Sequence, residues 1–554
     1  MMSANSKVAN ALKKPGLLSK SRTFVGPFYN RWLVPPAALM IHLCIGMAYG
    51  FSVFWLPLSE AVGITKPRTC PANVTFFQSF FMSDCDWKIS AMGWTFTLFF
   101  IFLGSSAAIW GGWLERAGPR KAGFIAALCW GGGFYISALG IYLHQLWIVL
   151  LGSGVIGGIG LGLGYISPVS TLIKWFPDHR GLSTGLAVMG FGGGAMIGAP
   201  LANILMKHFA TPDSVGVVQT FIALGSIYLA FMIGGAFSYR LPAPGWKPEG
   251  WEPTVASHSS MITNRHVHLN VAVKTHQFWL LWLVLTLNVT AGIGILGIAS
   301  PMLQEIFAGK LIGATETFTQ LTLSQKAQIA TIAAGFTGLL SLFNILGRLF
   351  WASMSDFISR KLTYAIFFTL GFILYSTAPI SATQGYIALF VLAFGVILSM
   401  YGGGFSTIAA YLADIFGTQM VGAIHGRLIT AWSAAGIFGP VIVNYLRDYQ
   451  LARHIPNAEV YSSIVYVMAG LLIIGFICNL FIKPVKDKYY MTDKELEIER
   501  TIAHEITADT KAALALKWDK KSTTLEFILA WLVVCIPLVW GVSLGVKSAL
   551  ILLR

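Results

Sequence analysis

The chain is poor in charge. Asp, Glu, Lys and Arg make up 11% of its 554 residues, less than half of the roughly 25% usual in soluble domains. That shortage excludes an ordinary water-exposed globule of this size. Cysteine is scarce as well: there are six, without the spacing of a metal site. The eleven histidines are scattered. No nucleophile–base pair stands out, so no catalytic residue, metal ligand or cofactor is expected and an enzyme is disfavoured. Acids are missing where they would matter most. None lies in the middle of the first twelve apolar runs, and Glu60, Glu305 and Asp414 fall near run ends. A carboxylate proton relay of the kind pumps use is therefore not evident.

What is present is apolar. Hydrophobic residues make up 55% of the chain, and the mean hydropathy is +0.69. Runs of 20 or more apolar residues follow one another, each long enough to cross a bilayer as a helix. The fold class is an all-α polytopic membrane protein, with the lipid bilayer as its surroundings. The net charge of +15 does not point to nucleic acid, because the cations sit in short loops and tails, where they set topology. The N-terminal tail carries Lys7, Lys13, Lys14, Lys20, Arg22 and Arg31. It leads into a run too long for a signal peptide and without a small-residue cleavage site. A cytoplasmic N-terminus in a plasma or bacterial inner membrane is expected.

The expected order is a tail (1–31), six spans (32–239), a proline-containing polar linker (240–275), six more spans (276–483), a charged segment (484–522) and a thirteenth span (523–554). That last helix is a candidate surface for self-association. The loop from Ser59 to Trp87 holds Cys70 and Cys85. It is outside if the N-terminus is inside, and its cysteines form either a disulfide or two free thiols. The two halves echo each other at an offset of about 240. Glu115 with Arg120 and Lys121 corresponds to Asp356 with Arg360 and Lys361. Trp175-Phe176 corresponds to Ile415-Phe416, and Ala199-Pro200 to Gly439-Pro440. Two bundles related in this way place a substrate path at their interface near mid-membrane.

One charge breaks the apolar pattern. Arg348 lies inside the run from about Ile329 to Ser353, where insertion costs roughly 3 kcal/mol or more. Arginine does not shed its proton to escape that cost, so it must face a protein interior or a wet cavity. Asn344 stands four residues earlier, on the same helix face. A guanidinium fork beside an amide suits a carboxylate. A resident Asp or Glu partner, or a place near the headgroups, is the structural alternative.

The link Gly111-Gly-Trp-Leu-Glu115-Arg116-Ala-Gly118-Pro-Arg120-Lys121 resembles the signature between helices 2 and 3 of the major facilitator superfamily. Here Glu115 replaces the usual Asp, and Ala352 and Ser359 replace glycines in the second copy. Several stretches are similar to the oxalate/formate antiporter family. They are Ala48 to Pro57, Gly164 to Gly181, Asn344 to Asp356, and Ala413-Asp414-Ile-Phe-Gly417. The resemblance covers about residues 30 to 485. It implies a major facilitator fold of two six-helix bundles, here with an extra C-terminal helix.

It also implies a carrier of small carboxylate anions that works by rocking of its halves. Arg348 and Asn344 match the family's substrate-binding arginine and asparagine. Family positions lining the cavity fall on Tyr49, Tyr165, Tyr401, Phe191, Phe405 and Trp432. The second cation of the oxalate carrier is missing, since Ala435 stands at that spacing after Trp432. A dianion would want two positive charges, so a monocarboxylate such as formate, lactate or pyruvate is expected. His425 and Arg427 read as residues near the cytoplasmic end of span 11. His42 is either a proton carrier or a hydrogen-bonded structural residue. Glu115, Arg116, Arg120, Asp356 and Arg360 are expected as gate contacts between helix ends. Exchange is the expected mode. Proton symport, oxalate/formate exchange and a carboxylate-binding sensor are the alternatives.

Overall fold

The computed structural model describes residues 16–549, apart from 60, 62–67, 69–74, 76–77, 244–245, 253–260, 319 and 505–521. Among them, thirteen helices are long and apolar enough to cross a membrane. Spans 1 to 6 are Arg31–Phe54, Trp94–Ala117, Pro119–Tyr142, Leu146–Trp175, Arg180–Phe209 and Val217–Ser238. Spans 7 to 12 are His276–Ile312, Ser324–Ile358, Arg360–Thr383, Ile387–Phe416, Val421–Arg447 and Glu459–Leu480, and span 13 is Thr524–Leu544. The most visible departures from the sequence reading are longer spans 7 and 8. The second span also starts later, at Trp94, because Ile89–Met92 forms a separate short helix.

Local chemistry explains several boundaries. Span 3 starts with Pro119 in the first turn, after Gly118 at φ 89°. Proline loses nothing there, because that N–H has no helical partner. The same corner recurs in the second half with Ser359 at φ 78° before Arg360. Serine is strained in that region, but its hydroxyl accepts from the Leu362 N–H and caps the next helix. The degraded copy of the motif therefore keeps the turn. Span 8 opens with a reciprocal capping box between Thr322 and Gln325. Span 1 tightens to a 3-10 helix over Gly46–Phe54. There Gly46 lies against the Phe191 carbonyl and Gly194 of span 5, so close that no side chain fits.

The two halves meet along two seams. Span 5 packs on span 8, and span 2 packs on span 11. Span 13 lies against spans 1, 5 and 8, so it straddles the first seam. Leu538 sits over Gly193, and Trp531 Nε1 donates to the Trp32 carbonyl at 3.1 Å. At the linker end, Phe24–Val25 pairs in parallel with Leu241–Pro242. The linker backbone bonds the end of span 10, through Thr263 N to Asp414 O at 2.8 Å and Val267 N to Phe416 O at 2.9 Å. Asp493–His504 is a short amphipathic helix after span 12.

Candidate functional site

Arg348 is completely buried. Its Nε donates to Asn344 Oδ1 at 2.9 Å, one helical turn back. Its Nη1 donates to the Val188 carbonyl of span 5 at 3.1 Å. Nη2 has no partner, and among the described residues no carboxylate lies within ion-pair distance. The structural alternative of a resident acid partner is thus unmet. Gly192 of span 5 makes the approach possible, because a methyl group there would press on both Arg348 Nε and Asn344 Oδ1.

Aromatic rings enclose this charge. The guanidinium carbon lies 5.3 Å from the Phe405 ring centre and 5.8 Å from that of Phe191, within reach of a cation–π attraction. Trp432 joins the rings: it lies 4.4 Å from Phe405, 5.1 Å from Phe191, 5.3 Å from Tyr165 and 6.1 Å from Tyr49, centre to centre. The Tyr49 and Tyr401 hydroxyls meet at 2.9 Å. The structure therefore brings together all eight expected substrate residues. Spans 1, 4 and 5 of the first half and 8, 10 and 11 of the second supply them. Within this closed cage Tyr165 Oη and Trp432 Nε1 have no hydrogen-bond partner.

His42 is fully buried behind the cage. Its Nδ1 is bonded to the Ala187 carbonyl, and its Nε2 lies 3.2 Å from the Tyr165 carbonyl. His425 differs from its expected interfacial position. It is completely buried against Tyr165, at 5.9 Å between ring centres, and neither of its ring nitrogens has a partner. Span 11 begins about where the sequence implies, and Gly422 and Gly426 let its first turns lie directly on spans 2 and 4, which buries His425. Arg427 does sit at the rim, where it bonds Asn270 at 2.9 Å.

The linker end is held shut by buried ions. Asp356 accepts from the Gly181 and Leu182 N–H groups of span 5 at 2.9 and 3.0 Å. Asp414 bridges Arg180 of the first half at 2.9 Å and Arg360 of the second at 3.1 Å. Arg360 also pairs with Asp356 at 2.5 Å. The sequence reading missed Arg180 and the part played by Asp414. The roughly 240-residue offset held the signal. It maps Lys174 onto Asp414, so the same position carries opposite charges in the two halves. Glu115 pairs with Lys174 at 2.6 Å and accepts from Ser170 at 2.9 Å, both in its own half, while its carboxylate abuts Gly422 of the other. Arg120 binds the carbonyls of Leu17, Phe237 and Tyr239, all within the first half. Arg116 is exposed. Cys85 is disulfide-bonded, and Cys70 lies outside the described residues.

Two pseudo-repeated bundles, a cation enclosed by aromatic rings at their interface and an ionic seal at one end are the architecture of a membrane transporter. The comparisons agree. The model of the Major Facilitator Superfamily matches residues 39–318 and 292–546, and the chain belongs to that superfamily. The oxalate:formate antiporter of Oxalobacter formigenes is 24% identical over 413 residues, 74% of this chain and 83% of that one. Monocarboxylate transporter 4 of Rattus norvegicus is 24% identical over 409 residues, 72% of this chain and 79% of its own length. Among solved structures, the proton:xylose symporter XylE shares the fold with a TM-score of 0.57 at 16% identity, covering 84% of this chain and 98% of that one.

Proposed function

We propose that this protein carries small carboxylate anions, with monocarboxylates such as formate, lactate or pyruvate favoured, and that it exchanges one for another. The observation that carries this reading is Arg348, a buried cation without an acidic partner and with one free donor pair. A charge left uncompensated in low dielectric is costly, and a carboxylate supplies both the charge and the acceptors. Tyr49, Tyr165, Tyr401, Phe191, Phe405 and Trp432 exclude water around it. Return of the empty carrier would carry the naked charge through the closed state, which favours exchange over net flux. Ala435, at the place where a second cation would serve a dianion, favours one carboxylate over two. The linker end, with its basic tail, is assigned to the cytoplasm by the positive-inside rule, and its ionic seal is the gate on that side.

Proton symport is the second reading, and His42 supports it. Both of its ring nitrogens face carbonyl oxygens, an arrangement that only a protonated ring satisfies in full.

Counterflow in proteoliposomes tests the assignment. Vesicles loaded with formate, lactate, pyruvate, oxalate or buffer are given labelled monocarboxylate, with and without a proton gradient. Exchange requires internal anion. Uptake into empty vesicles driven by the gradient means symport, and absence of flux favours a sensor or a substrate outside this class. Arg348→Ala is expected to abolish transport in folded protein. Near-normal uptake by a well-expressed Ala variant sinks the assignment.

A further inference from the structure

We infer that span 13 is the outer wall of the Arg348 site and that Leu538 is its positioning residue. The inference rests on the carboxylate reading of Arg348.

On the span 5 side the site is thinly walled. Gly190, Gly192, Gly193 and Gly194 are four of five consecutive residues there, and none has a side chain to stand behind the guanidinium. Gly192 faces inward: a methyl group on it would lie 3.1 Å from Arg348 Nε and 3.2 Å from Asn344 Oδ1. Gly193, one position on, is turned about 100° away. A methyl group on it would lie 3.1 Å from Leu538 Cδ1 of span 13 and 3.2 Å from Leu43 Cδ2 of span 1. Arg348 and span 13 therefore press on adjacent residues of one backbone. Ile345, next to Asn344 in span 8, joins the two contacts: its Cγ1 approaches Gly192 and its Cδ1 approaches Gly193.

The fit is built into span 13. Trp531, Val534, Leu538 and Gly541 lie three or four residues apart and share one helix face. Val534 is buried, and Gly541 lies against Ile197 and the Met196 carbonyl of span 5. Leu532, Val533, Ile536 and Val539, on the other face, are exposed. The start of the helix is tied to the start of span 1. Asn30 N donates to Ser522 Oγ at 3.1 Å, and Trp531 Nε1 donates to the Trp32 carbonyl at 3.1 Å. Span 13 is thus fixed to the first half and leans on span 8 of the second.

Lipid tails in place of Leu538 would fill the groove at Gly193 without fixing it, because they are fluid. A side chain on a packed helix sits in one rotamer and transmits strain. Span 5 gives Arg348 both the Val188 carbonyl and the Gly192 surface, so a backward shift of span 5 moves both. A misplacement of about 1 Å is enough to weaken a positioned site strongly.

Counterflow KM and Vmax in proteoliposomes, with labelled formate, lactate and pyruvate, make the test, and the melting temperature of each variant is followed in detergent. Leu538→Ala is expected to raise KM about fivefold with Vmax within about twofold, and Leu538→Ile to recover most of the affinity. Val539→Ala, one residue on and on the exposed face, leaves KM unchanged. Gly193→Ala crowds Leu538 and is expected to raise KM alone. Combined with Leu538→Ala, it is expected to do less harm than the two losses added. If Leu538→Ala does not fold, Leu538→Val takes its place in the same comparison. A variant that melts lower but keeps the wild-type KM shows a helix that only stabilises, and overturns the inference. Strictly additive losses at Gly193 and Leu538 overturn it too. Either result leaves the Arg348 reading standing, whereas wild-type vesicles that carry none of the three acids take down both.

Discussion

The hydroxyls of Tyr49 and Tyr401 meet 2.9 Å apart, one from each half of the molecule. Tyr401 is buried, whereas Tyr49 is partly exposed. The pair joins the two halves beside the Arg348 cage. At the linker end the closure is ionic and much deeper. Opening away from the linker breaks neutral hydrogen bonds, between Tyr49 and Tyr401 and from Ser433 to the Phe100 carbonyl; opening toward it needs a buried charge network dismantled.

That asymmetry gives the first prediction. Losing one hydroxyl removes about 1 kcal/mol, close to a fivefold change in the closed–open balance. Tyr401→Phe and Tyr49→Phe are each expected to raise the counterflow KM about fivefold. The double variant is expected to be no worse than either single one. Additive losses in that cycle would show that the two hydroxyls act separately.

Asn344 holds the Arg348 Nε, so Asn344→Asp places a permanent carboxylate where the amide now sits. The internal ion pair is expected to raise the melting temperature in detergent while transport falls to background. A variant that still transports at the wild-type rate would mean that the cation is not the anion site.

Asp414 neutralises Arg180 and Arg360 together. Asp414→Asn leaves two buried cations short of charge, and breaking such a network costs about 3–5 kcal/mol. The expected result is a lower melting temperature and faster alkylation, from the linker side, of a cysteine introduced in place of the buried Ser183. Protection equal to that of wild type would show that the backbone bonds to Asp356 suffice for the seal.

Cys44, Cys129, Cys478 and Cys535 are free, and Cys85 is bonded. With Cys70 as its expected partner, denatured protein titrates four thiols before reduction and six after. Closure of a loop this short is worth about 3 kcal/mol, so reduction is also expected to lower the melting temperature. Five thiols before reduction would point to a bond between two chains.

His266 sits in the linker, and Gln419 N donates to its Nδ1 at 3.4 Å. Burial first, then the charges of Arg500 and Arg180, press its pKa down to about 4. The fold keeps this ring neutral, whereas the unfolded chain takes up a proton near pH 6.5. Its stabilisation is therefore full above pH 6.5 and is lost as pH falls from there to about 4, by at most about 3 kcal/mol. Melting curves at pH 7.5 and pH 5 are expected to differ less in His266→Asn than in wild type. Equal differences would assign the acid sensitivity to other groups.

Much of this molecule was legible along the chain. Spans show as apolar runs because a helix in lipid must satisfy its own backbone. The repeat shows because Glu115 with Arg120 and Lys121 recurs as Asp356 with Arg360 and Lys361 at the same offset as two other pairs. Arg348 and Asn344 were legible as a pair, since four residues is one helical turn.

The contacts between halves were not. Arg180 and Asp414 are 234 residues apart, and each reads alone as an ordinary loop charge. Arg120 reads as a gate, but its donors go to carbonyls of its own half. His425 reads as an interfacial residue because its burial depends on the helices packed against it. By itself, the sequence determined the solvent, the helices, the repeat and the one expensive cation, which are all local consequences of apolar length and helical spacing. Only the tertiary structure decided which charges neutralise each other, which end is sealed and which histidine is left without partners. Those outcomes depend on how two bundles meet, and no local periodicity encodes that.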